Sequence, residues 1–129
     1  MLITLDSTSD VPLYLQLRNQ IVMGIGRGTL KIGQSLPTVR QMATDIGVNT
    51  MTVNKSYAIL KNQGYIEIDR RHGAKVSPQA DTSTPFKEKM EEELQLLISE
   101  ATLKGFSQND FMEMCKVAFS QMIGGTAHV

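Results

Sequence analysis

The chain has 129 residues, 41% of them hydrophobic and none Trp, with 13 basic and 13 acidic side chains that cancel to a formal net charge of zero. This length fits one small globular domain with a short appendage and excludes two full domains, and a chain so small is expected to gain stability from self-association. A single Cys115 excludes an intramolecular disulfide framework and a Cys-rich zinc site. The sequence lacks a secretory signal pattern and any run approaching the roughly 18 apolar residues of a membrane span, so no membrane partner and a reducing, cytoplasmic setting are expected. The charge is unevenly spread: residues 1–78 hold nine bases against five acids, and the remainder four against eight. A basic N-terminal part that can face phosphates is therefore followed by an acidic part that cannot.

Residues 1–9 form a short arm, and Asp10 with Pro12 two residues later reads as a helix start, the carboxylate capping and Pro lacking a donor that would be wasted there. Leu13, Leu17, Ile21 and Ile25 then recur every four residues until Gly26, Arg27 and Gly28 stop the pattern. The connector 29–36 is too short for a helix and leads to Pro37, so it is expected to be extended. A helix from about Thr38 to Ile46 places Val39, Met42, Ala43 and Ile46 on one face, and Gly47 supplies the left-handed residue that ends it. Val48 plugs the turn, Asn49 caps a second helix with Val53, Tyr57 and Leu60 at core spacing, and Gly64 closes it. Small Ala43 allows the two helices to cross closely while Gly47 turns sharply between them, which makes a helix-turn-helix.

Tyr65–Asp69 alternates as a strand, Arg70, Arg71, His72 and Gly73 offer a turn, and Ala74–Ser77 can return as a second strand. A hairpin in that place is a wing, and its basic tip, with Lys75 close by, suits phosphates or a minor groove. Residues 78–84 are polar and flanked by proline, a linker between a domain at 1–77 and a helical tail at 85–129. The first tail helix starts at Pro85 with Thr84 as cap and carries Phe86, Met90, Leu94, Leu97 and Ala101 as a narrow seam before Gly105. The second has Ser107 as cap, Asp110 at its third position, a Phe106–Phe111 staple, and Phe111, Met114, Cys115, Ala118, Phe119 and Met122 along one side up to Gly124 and Gly125. Some 40 residues in two helices cannot close a core alone, so these faces are expected to make a symmetric homodimer.

No catalytic constellation is present. His72 and His128 are far apart, Glu91, Glu92 and Glu93 fan around a helix, and GIGRG at 24–28 ends a helix where a phosphate loop would begin one. The eight Met residues are assigned to core faces, and no metal or cofactor is expected.

PLYLQLRNQI (Pro12–Ile21), LPTVRQMA (Leu36–Ala43), GVNTMTVNKSYAIL (Gly47–Leu60) and GYIE (Gly64–Glu67), in this order and spacing, resemble the winged-helix DNA-binding domain of the GntR family of bacterial repressors. With so short a tail the chain resembles the YtrA-like subfamily, whose members dimerise through it and typically repress their own operon, often one with ABC-transporter genes. The resemblance implies a mostly α fold with a small β wing, DNA contact by Arg40 and Lys55, base and backbone contact by Thr50, Thr52 and Asn54 behind the cap Asn49, and a wing-tip Gly73 that lets the backbone enter the minor groove. The chain departs from the family pattern where Thr50-Met51 replaces Pro-Asn, Arg71 the first wing glycine, and Lys75 an aromatic residue, which makes the wing bulkier and more basic.

Residue chemistry points the same way: Asn can bond adenine in bidentate fashion, Arg can bond guanine, and Thr and Lys more often hold the backbone. The sequence thus predicts a homodimeric regulator, a repressor, on a pseudo-palindromic double-stranded DNA operator, with Arg70, Arg71 and His72 on the wing. A winged-helix module that binds protein, with no physiological DNA binding, is the alternative. No residue identifies a small-molecule effector.

Overall fold

A computed structural model describes residues 3–124, which divide into two compact units between Gln79 and Ala80. The first unit holds three helices and a two-stranded sheet: α1 (Leu13–Arg27), α2 (Val39–Ile46), α3 (Thr50–Asn62), β1 (Ile66–Asp69) and β2 (Gly73–Val76). The second holds α4 (Thr84–Leu103) and α5 (Gln108–Ser120). This is the mostly α, winged-helix architecture that the spacing of apolar and turn residues predicts.

In α1 the four-residue repeat buries Leu17, Ile21 and Ile25, while Leu13 stays half-buried. Its start differs from expectation. Pro12 itself occupies the N-cap, its carbonyl accepting from the amides of Leu15 and Gln16, and no side chain caps the helix. Asp10 stands two residues too early to reach those donors. Gly26 lies within the helix, and the left-handed residue that ends it is Gly28.

The N-terminal arm runs along α1, held by two amide side chains one turn apart. Gln16 accepts from the Asp6 amide and donates to the Asp6 carbonyl, and Gln20 does the same with Thr4.

α2 is capped by Thr38, whose hydroxyl accepts from the Gln41 amide, and buries Met42 and Ala43. Gly47 has φ of +72°, and the chain then passes directly into α3, which buries Val53, Ser56, Tyr57 and Leu60. The core of this unit is completed by Leu30, Leu36, Ile66, Ala74 and Val76. Hydrophobicity alone passes over Ser56; it is accommodated because its hydroxyl donates to the carbonyl of Tyr14 in α1.

β1 and β2 are antiparallel, with Ile66 opposite Val76 and Asp69 opposite Gly73. The connector expected to be extended does more than extend: Ser35 bridges to Lys75, the Gly33 amide donates to Val76, Leu36 to Ala74, and the Val76 amide to Gln34. The connector is thereby tied to β2 by one bridge and its flanking hydrogen bonds, a pairing that residue patterns did not show.

In the second unit α4 starts one residue earlier than its sequence suggests, because Ser83 and not Thr84 accepts from the Phe86 amide, with Pro85 in the first turn. α5 opens with a full capping box between Ser107 and Asp110, whose carboxyl these bonds hold below the usual range. It stops at Ser120, two residues before Met122. Neither helix has a buried residue. No helix among the described residues is long and apolar enough to cross a membrane.

Candidate nucleic-acid interface

The interface is built from the two helices of the helix-turn-helix and the hairpin behind them. Because Val53, Ser56, Tyr57 and Leu60 face the core, Thr50, Met51, Asn54, Lys55, Ala58 and Lys61 are left on the outside of α3. Thr50 and Asn54 lie on that exposed stripe, while Thr52 is half-buried. Asn49 is spoken for: its Oδ1 accepts from the Thr52 amide at 2.8 Å and from the Thr52 hydroxyl at 3.1 Å, so both residues spend a polar atom on capping α3. Arg40 is exposed in the first turn of α2.

Two cation–aromatic stacks and one hydroxyl fix α3 in place. The Lys55 ammonium lies 3.9 Å from the centroid of Tyr14, and the Arg18 guanidinium 5.5 Å from that of Tyr65 while its Nε donates to Gln63. Lys55 is therefore anchored on α1 as well as exposed at the surface. Tyr57 donates its hydroxyl to the Pro37 carbonyl at 2.7 Å, tying α3 to the segment that leads into α2, and burial pushes its phenol well above the usual range.

On the wing Arg70, Arg71, His72 and Gly73 are all exposed, and Lys75 is half-buried opposite Glu67. Gly73, with φ of +70°, closes the turn. Asp69 bonds to the turn three times, and the His72 amide and ring are the main cause that holds its carboxyl below the ordinary range. Between α3 and the hairpin lies a groove of about 420 Å³, lined among others by Asn54, Lys61, Asn62, Ile68 and Gly73.

The fold thus gathers Asn54 of α3 and Gly73 of the wing into one groove. Sequence reasoning missed three members of this surface. Lys61 and Asp69 carry no motif. Met51 was assigned with the other methionines to a core face, yet it is 77% exposed. Met42 alone among the described methionines is in the core, whereas Met23, Met51, Met90, Met112 and Met114 are exposed, so the assignment of methionines to core faces is overturned. Helical spacing from Val53 already puts Met51 outside.

Of the residues expected to pair two chains, Met90, Leu94, Leu97, Met114, Ala118 and Phe119 are exposed and Phe86, Ala101, Phe111, Cys115 and Met122 are half-buried. Leu96 and Ile98 are exposed too, so α4 is apolar on more than the narrow seam its spacing suggested. His128 lies outside the described residues. Among the described residues no cluster of His, Cys, Asp or Glu could hold a metal ion.

Comparison with known proteins agrees with this geometry. The model of the gntR family of bacterial regulatory proteins matches residues 13–76. The transcriptional repressor YtrA of Bacillus subtilis is 35% identical over 127 residues, covering 96% of this chain and 97% of that protein. The chain belongs to the GntR family. Within that family it is YtrA-like: the solved structure of YtrA from Sulfolobus acidocaldarius, a GntR-family transcription factor, superposes with a TM-score of 0.62 at 32% identity, over 78% of this chain and 97% of that one. The DNA-binding domain of AraR in complex with operator ORX1 matches at a TM-score of 0.52 and 26% identity, over 57% of this chain and 94% of that one. This GntR-family chain is a transcriptional regulator with a winged-helix DNA-binding domain.

Proposed function

We propose that this chain represses transcription as a homodimer on a pseudo-palindromic operator, in its own operon and alongside ABC-transporter genes, by occluding the promoter. One observation supports the reading above all: Asn54, on the exposed polar stripe of α3 that also carries Thr50, lines one groove with Gly73 of a wing whose exposed tip carries Arg70, Arg71 and His72. Thr50 and Asn54 read base edges from the N-terminal half of α3, and Arg40, Lys55 and the wing hold the backbone. Asn49 and Thr52 act chiefly by fixing the start of that helix, since the cap occupies them.

The homodimer reading is supported by the tail, where two helices bury nothing and leave Leu94, Leu97, Met114 and Phe119 exposed. Apolar surface of that extent needs a cover, and a second copy meeting it about a twofold axis places two recognition helices on one face of the duplex. Selection of bound duplexes from a random pool at fixed salt tests the whole reading. Enrichment of an inverted repeat with half-site centres about 10 base pairs apart is expected. A pool that stays random, or an enriched site without symmetry, would count against it.

A further inference from the structure

The tip of the wing contains a residue of the wrong sign. Asp69 stands directly before Arg70, Arg71 and His72, at the place where a hairpin would approach phosphates. Coulomb's law alone makes this carboxylate a liability there, because it repels the backbone that its neighbours attract.

Its geometry gives it a different task. Oδ1 accepts from the amide of Arg71 at 2.7 Å and from that of His72 at 2.6 Å, while Oδ2 lies 3.1 Å from the imidazole Nδ1 of His72. One side chain thereby satisfies two amides of a three-residue loop whose ends, Asp69 and Gly73, form the last pair of the ladder. Without this acceptor, both amides turn to water and the loop samples many conformations. Each arginine then has to be ordered at the moment of binding.

We propose that Asp69 is a positioning residue for DNA binding: its carboxylate fixes the turn so that Arg70, Arg71 and His72 meet the duplex already arranged. This inference rests on the DNA-binding reading above. The gain in order outweighs the repulsion, because the carboxylate is exposed and water and salt screen its charge.

The two effects make opposite forecasts for Asp69→Ala, which adds one unit of positive charge and removes the turn's acceptor. Fluorescence anisotropy on the full chain, with the selected operator and a scrambled duplex between 50 and 200 mM salt, reads the outcome; that range brackets the strong salt dependence of such contacts. Asp69→Ala is expected to weaken operator binding roughly five- to tenfold and to flatten the salt dependence, the scale of losing one or two phosphate contacts. Asp69→Asn keeps an oxygen for both amides while discarding the charge, and should bind as tightly as the wild type or tighter. Circular dichroism of both variants should match the wild type, as the side chain is outside the core. Tighter binding by Asp69→Ala would overturn the proposal and leave the carboxylate as a mere repelling charge. Equal weakening in Asp69→Asn would overturn it too, since the acceptor would not matter. A wild-type chain that fails to tell operator from scrambled duplex would remove the DNA-binding reading itself, and this proposal with it.

Discussion

Met51 is the single apolar side chain of size on the outer stripe of α3, next to Thr50 and one turn from Asn54 and Lys55. In a major groove the natural partner for an apolar side chain is the methyl group of thymine. Met51→Ala should therefore abolish most of the difference between an operator and the same operator with uracil in place of thymine, a difference of about fourfold per methyl buried. An unchanged thymine preference in the variant, read by competition binding, would assign Met51 no part in specificity. Arg40→Ala should cost roughly 1 to 3 kcal/mol of operator affinity at constant salt. Its melting temperature should barely move, since the side chain is exposed and bears no core contact. At this scale the sequence was a partial guide. Residue type identified Asn54 and Arg40 as candidates, but not that Asn49 and Thr52 spend polar atoms on one another, nor that Ser56 is buried against a carbonyl of α1. Such pairings depend on where a backbone atom from a distant element arrives, and no local pattern encodes that.

Elements were far more legible, because caps and periodicity are local. The Ser107–Asp110 box, the Asn49 cap and the left-handed Gly47 all occur where the residue types demanded them. Errors were confined to one or two positions: Ser83 in place of Thr84, Pro12 in place of Asp10, and an early stop in α5. Gly47 allows a clean test. A methyl group added there meets nothing within 4 Å, so only its φ of +72° penalises substitution. Gly47→Ala should destabilise the chain by about 1 to 2 kcal/mol, seen as a lower urea midpoint with an unchanged slope. Gly47→Asn should cost visibly less, as Asn visits that region more readily. Equal losses for the two would mean that the turn is limited by packing and not by backbone geometry.

For the molecule as a whole, the proposed homodimer makes the tail decide how many recognition helices reach one duplex. Replacing Leu94 and Phe119, both exposed on the tail helices, by Glu should convert a dimer to a monomer in sedimentation. Operator affinity should fall steeply while contact with non-specific DNA stays close to that of one wild-type domain. A double variant that still sediments as a dimer would move the pairing surface elsewhere. That the tail helices bury no residue was legible from the sequence, since two short helices cannot enclose a core, but the breadth of their apolar surface was not. A narrow seam was read from one heptad-like row, and Leu96 and Ile98 extend it.

The connector paired to β2 gives the hairpin a mechanical character. Hydrogen bonds from Gly33, Leu36 and Val76 bind β2 to the connector between α1 and α2, so the root of the wing is built into the scaffold, while residues 70–72 project beyond it. The wing is a cantilever, clamped along its length by the connector and held in one turn at its three-residue tip by Asp69. Groove width varies along natural DNA with base composition. A cantilever whose tip keeps one shape cannot follow that variation, so the chain should favour operators of one groove width while holding one register on the bases. Amide exchange would display this directly, slow at Leu36 and Val76 and protected at Arg71 and His72 as well.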